Sequence, residues 1–101
     1  MVSRSFTTIL WKHEGPSSWF FASLPAAMSA EIRSEFGVLS PGWGSLPVVA
    51  TVGKTSWKTS MFFDTKRDTY LLPVKAEVRK KERLTEGDTL ETTVELDFRK
   101  A

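Results

Sequence analysis

A chain of 101 residues (11.4 kDa) has room for one domain, residues 1–101, that hides roughly two thirds of the surface its unfolded form exposes. Four Trp and seven Phe give such a domain core volume, and the lack of Cys excludes disulfide stapling and thiolate chemistry. Fourteen basic against twelve acidic side chains leave a net charge of +2, too slight an excess to imply a polyanionic partner by itself.

The opening residues, "MVSRSFTTILWKHEG", lack the apolar stretch of a secretory signal, and no segment approaches the roughly 20 apolar residues needed to cross a bilayer. A soluble, cytoplasmic protein without a membrane partner is expected. Residues 6–12 alternate Phe6, Thr8 and Leu10 with Thr7, Ile9 and Trp11, which predicts a strand broken by "HEGPSS". A second strand runs from Trp19 to Leu24 and stops at Pro25, which suits the first turn of a helix. Met28, Ile32 and Phe36 then recur every four residues, so one apolar helical face is predicted, with Glu31, Arg33 and Glu35 in water and Gly37 as the stop.

"SPGWGSLP" reads as a glycine-interrupted loop leading into a strand at Val48–Val52. "VGKTSW" turns that strand back into Trp57–Phe63, where Trp57, Thr59, Met61 and Phe63 alternate with Lys58, Ser60 and Phe62. After "DTKRD" comes a brief strand, Thr69–Leu72, bounded by Pro73. Val74 and Val78 are four apart within a basic stretch, which predicts one or two helical turns. "EGD" reverses the chain into a last strand whose Leu90, Thr92, Val94, Leu96 and Phe98 alternate with Glu91, Thr93, Glu95 and Asp97.

Five or six short antiparallel strands with one amphipathic helix predict a mostly β fold: a small closed or partly open β-barrel with a short helical connector. A helix over an open sheet has the same element order. The ordered set Leu24-Pro25, Gly53 with Trp57-Lys58-Thr59-Ser60, Leu72-Pro73 with Val78-Arg79, and Gly87-Asp88 resembles the family of small β-barrel domains of unknown function numbered 1905. That resemblance covers nearly the whole chain, implies a barrel, and brings no catalytic residue. Residues 72–96 are also similar to the strand, short basic helix, Gly-Asp turn and strand of swapped-hairpin transcription factors. There the unit binds DNA as an intertwined pair; here it is the last third of a longer chain, and shared barrel construction without shared binding is the preferred reading.

Lys75, Arg79, Lys80, Lys81 and Arg83 are the residues that could converge on phosphates, but Glu77, Glu82 and Glu86 dilute them and Glu91, Glu95 and Asp97 follow on the next strand. A solvated connector is favoured over nucleic acid. Trp11, Trp19, Trp57 and Phe63 lie in apolar runs, and core filling is expected for most of them; Trp43, in "PGWG", plugs the barrel end or lines a pocket. Gly53-Lys54-Thr55 is no phosphate loop, since Val48 stands where the first glycine belongs and a strand follows in place of a helix. His13 is the only His and Cys is absent, so there are no clustered zinc ligands and no Cys-His pair, a Ser-His-acid set would need distant residues to meet, and no metal, cofactor or catalytic residue is assigned. The expected role is a non-catalytic module that binds a small ligand or a protein near Trp43, Lys58 and Ser60. Weak nucleic-acid binding through residues 75–83 is the alternative, and a small enzyme with a polar site of unfamiliar type the second.

Overall fold

The computed structural model describes residues 2–15, 18–37 and 45–97. Six strands and two helices follow in the order β1 (Ser3–Lys12), β2 (Phe20–Ser23), α1 (Ala26–Phe36), β3 (Ser45–Val52), β4 (Thr55–Asp64), β5 (Thr69–Pro73), α2 (Ala76–Glu82) and β6 (Thr89–Leu96). The strands pair antiparallel in the cyclic order β1-β2-β5-β4-β3-β6, and β6 returns to β1, so the barrel is closed and has no free edge.

Pleating decides what fills it. Leu10 on β1, Ala22 on β2, Met61 on β4, Leu72 on β5, Val48 and Ala50 on β3, and Leu90 and Val94 on β6 all point inward and are buried. Trp57 and Tyr70 add the large volumes, and Phe63 stands edge-on to Tyr70 with ring centroids 5.2 Å apart. The hairpin between β3 and β4 pairs Val48 with Thr59 and Ala50 with Trp57, as the alternation predicts.

Strand β3 begins three residues earlier than the sequence pattern suggests and includes Pro47. The missing N–H is harmless there. The Pro47 carbonyl accepts the Asp97 N–H at 2.9 Å, so this side of the residue faces the end of β6, where the ladder is already running out. Trp43 and Phe98 lie outside the described residues.

The helices close opposite mouths. The end of β2, the start of β5 and the start of β3 share one end of the barrel, and α1 spans it. Pro25 precedes the helix with φ −56°, the Ser29 N–H bonds its carbonyl, and Gly37 ends the helix with its N–H on the Arg33 carbonyl. Ile32 is fully buried and Met28 and Phe36 pack half-buried beside the core, which is the face the four-residue period predicts.

The other mouth holds the end of β5, the turn between β3 and β4 and the start of β6. Helix α2 spans it with Val78 turned into the core, Val74 before it and Leu84 after it. Arg83, with φ 56°, stops α2 in a left-handed cap, and the Leu84 N–H returns to the Arg79 carbonyl at 2.8 Å. Glu82 ties α2 to the turn, accepting hydrogen bonds from the Lys54 N–H at 3.2 Å and the Thr55 hydroxyl at 2.6 Å. Among the described residues no helix is long and apolar enough to cross a membrane.

Candidate functional site

The outer face of the barrel has two unlike flanks. Where β1, β6 and β3 adjoin, Ser5, Thr7, Thr51, Glu91 and Thr93 line a polar hollow, and Ser5 and Thr93 share a hydroxyl hydrogen bond at 2.9 Å. This is the acidic, solvated face that the alternation of β6 predicts. Across β1, β2, β5 and β4 the outer side chains are instead aromatic and aliphatic. Trp11, Trp19, Phe21, Phe62 and Leu71, with His13, Asp64 and Arg67, line a groove of about 370 Å³.

Strand register builds this groove. Trp11 on β1 stands opposite Phe21 on β2, and Leu71 on β5 stands opposite Phe62 on β4, so four neighbouring strands bring apolar side chains to one outer surface. Trp19 lies just before β2 and stacks on Phe21 with centroids 5.9 Å apart and planes 8° from parallel; Trp11 tilts against the same ring at 5.2 Å. The His13 ring meets Phe21 edge-on, and its backbone N–H reaches the Trp19 carbonyl at 2.8 Å, which fixes the ends of the connection between β1 and β2. The Trp11 indole N–H donates to the Ser23 hydroxyl at 2.9 Å.

The turn between β4 and β5 supplies the groove's charges. One oxygen of Asp64 accepts the Lys66 backbone N–H at 2.9 Å, the other accepts Arg67 Nη1 at 2.6 Å, and Asp68 completes the turn with φ 56°. Arg67 in turn lies over the Trp11 ring, its guanidinium carbon 4.3 Å from the centroid. The side-chain hydrogen bond from Arg67 holds the Asp64 carboxyl below the usual range; burial opposes this, and the backbone N–H groups of Lys66 and Arg67 reinforce it.

The aromatic residues thus divide differently from the expectation of core filling. Trp57 is in the core and Phe63 packs against it, but Trp11 is half-buried on the outer face and Trp19 is 51% exposed there. An apolar run is no guarantee of burial when a strand only four residues long, β2, can turn just part of it inward.

Lys58 and Ser60 also point outward, because Trp57 and Met61 take the inward positions of β4. They lie mid-strand and away from the mouths, on the same outer face as Phe62 and Asp64, and they continue the groove's surface along β4 without lining the groove itself. The basic stretch is partly committed to the fold. Arg79 donates from Nε to the Val74 carbonyl at 3.0 Å and covers the Phe20 ring at 3.8 Å, and Lys75 pairs with Glu77 at 3.8 Å. Lys80, Lys81 and Arg83 are exposed, which suits the wet side of a connector. Residues 72–96 form β5, α2, a turn and β6, but β5 and β6 are not neighbours: β6 pairs with β1 and β3.

Among the described residues no three His, Asp or Glu side chains are grouped so as to hold a metal ion. No curated protein matches the chain. The family described as "Domain of unknown function (DUF1905)" matches residues 6–94, from the middle of β1 almost to the end of β6, and the chain belongs to that family.

Proposed function

We propose that the protein is a non-catalytic binding module whose ligand lies in the outer aromatic groove. One observation carries this reading. Of the three large hydrophobic side chains exposed among the described residues, Trp19 and Phe62, 51% and 44% exposed, line this single groove. Its volume falls at the lower end of the range for small-molecule sites, about 300–1,000 Å³. Asp64 supports binding over catalysis, because a carboxylate held ionised by Arg67 is a weak base and a poor proton donor near neutral pH. A longer ligand would extend along β4 past Ser60 toward Lys58.

The test uses a neutral planar probe. Naphthamide titrated into the intact protein is expected to shift the indole N–H resonances of Trp11 and Trp19 and to leave that of Trp57 unmoved. Trp19→Ala should weaken the interaction about tenfold, in line with the 1–3 kcal/mol found for stacking on an aromatic platform. Equal binding by Trp19→Ala, or shifts centred on Trp57, would place the ligand elsewhere.

A further inference from the structure

The hydrogen-bond inventory of the groove selects the charge of its ligand. Each oxygen of Asp64 already accepts one hydrogen bond, one from the Lys66 N–H and one from Arg67 Nη1, so the charge of the groove's carboxylate is met in part within its own turn. The Trp11 indole N–H is spent on Ser23. Arg67 is different. It uses one nitrogen on Asp64, holds its guanidinium carbon 4.3 Å over the Trp11 ring, and its Nε and Nη2 donate to none of the described residues, while its side chain is half exposed. A guanidinium held from two sides with part of its donor fork free is pre-organised for a carboxylate. Trp19, which lines the same groove, also has an indole N–H without a partner among the described residues.

We infer that the groove takes a small aromatic carboxylic acid, its ring against Trp19 and Phe62 and its carboxylate on the free edge of Arg67. The inference rests on the groove being the binding site, as proposed above. A cationic ligand would meet the Arg67 guanidinium as a like charge beside Asp64 and Trp11, whereas an acid takes up donors that Arg67 leaves free. The volume suits one or two fused rings and is small for a length of polypeptide.

The deciding experiment compares three probes of one shape on the intact protein: naphthoate, naphthamide and naphthylmethylammonium, followed through the Trp11 and Trp19 indole N–H resonances. Naphthoate should bind about tenfold or more tightly than the amide, as a hydrogen bond to a charged group allows, and the ammonium most weakly. Arg67→Gln should weaken naphthoate far more than the amide and bring the two to about the same affinity. Arg67→Lys, which keeps the charge and loses the fork, should fall between, and resonances elsewhere in the barrel report whether each variant is folded. Equal affinity for acid and amide overturns the anion while leaving the aromatic groove standing. Tightest binding of the ammonium also overturns it, and a peptide ending in Trp that binds better than naphthoate overturns the assignment to a small acid. If none of the three probes moves either indole, this inference and the proposed site fall together.

Discussion

Ser29 shows how much a single buried hydroxyl can organise. It is fully buried on α1, its Oγ accepts the Tyr70 N–H at 3.0 Å, and it lies 2.5 Å from the Thr69 hydroxyl, which itself donates to the Leu24 carbonyl at 2.6 Å. Because the proton of Thr69 is used on Leu24, Ser29 must donate to Thr69, and the polarity runs one way from the Tyr70 amide to the Leu24 carbonyl. Replacing Ser29 by Ala leaves the Tyr70 N–H buried without this acceptor and should cost about 1–3 kcal/mol in a denaturant titration. A change below about 0.5 kcal/mol would show that the chain of bonds is incidental, since that is the scatter of ordinary surface substitutions. The sequence does not announce this residue. Met28, Ile32 and Phe36 mark the apolar face by their spacing, but the partners that allow a Ser beside them to be buried stand 40 and 41 residues away.

The link between α2 and the turn from β3 to β4 belongs to the scale of elements. Gly53 is the first central residue of that two-residue turn and has φ 61°, a conformation that suits Gly there. A Cβ at this position would run into the Glu82 carboxylate, which would then have to give up the Lys54 N–H and the Thr55 hydroxyl. Gly53→Ala should therefore destabilise by about 1–3 kcal/mol, combining left-handed strain with a lost tether. In a Glu82→Ala background the same substitution should cost less, because only the strain remains. An equal cost in both backgrounds, measured as a double-mutant cycle, would sever α2 from the turn energetically. Both α2 and the hairpin are legible in the sequence through the step from Val74 to Val78 and the alternation after Trp57. Their tether is not, since Glu82 reads like any other acid in a charged run until the turn is folded against it.

For the whole molecule, what the sequence makes legible is the barrel's interior, and what it leaves obscure is the outer groove. Inward positions announce themselves because apolar residues recur at alternate places, as at Leu90, Val94 and Leu96 on β6 with only Thr92 between them. Ile9 and Trp11 break that rule by adding apolar residues to the second face of β1, and Phe62 does so on the face of Lys58 and Ser60. Those three exceptions were the available sign of an apolar exterior, but only strand order brings Trp11, Phe21, Leu71 and Phe62 to one surface, and a chain with β2 beside β5 cannot be foreseen from spacing.

The stability of the closed barrel should also depend on alkaline pH through Tyr70. Burial raises the pKa of its phenol above the ordinary 10.0, and the charge of Arg33 only partly offsets this. Since the folded value lies above the unfolded one, Tyr70 contributes stability that is complete below pH 10.0 and is lost as pH rises through the folded pKa. Phenolate absorbance should therefore appear later than in a Tyr peptide and, at the highest pH, together with unfolding; a Tyr70→Phe variant should lose that part of the alkaline sensitivity. An early phenolate transition in a folded barrel would contradict it. The pairing of β6 with both β1 and β3 has a different consequence, one of timing. The chain is synthesised from its N-terminus, so residues 3–9 must wait for residues 89–95 to be made before their ladder can form. Until then the other five strands can assemble at most an open, curled sheet with β1 and β3 as bare edges, and the sixth strand of the barrel to be made is the one that seals both.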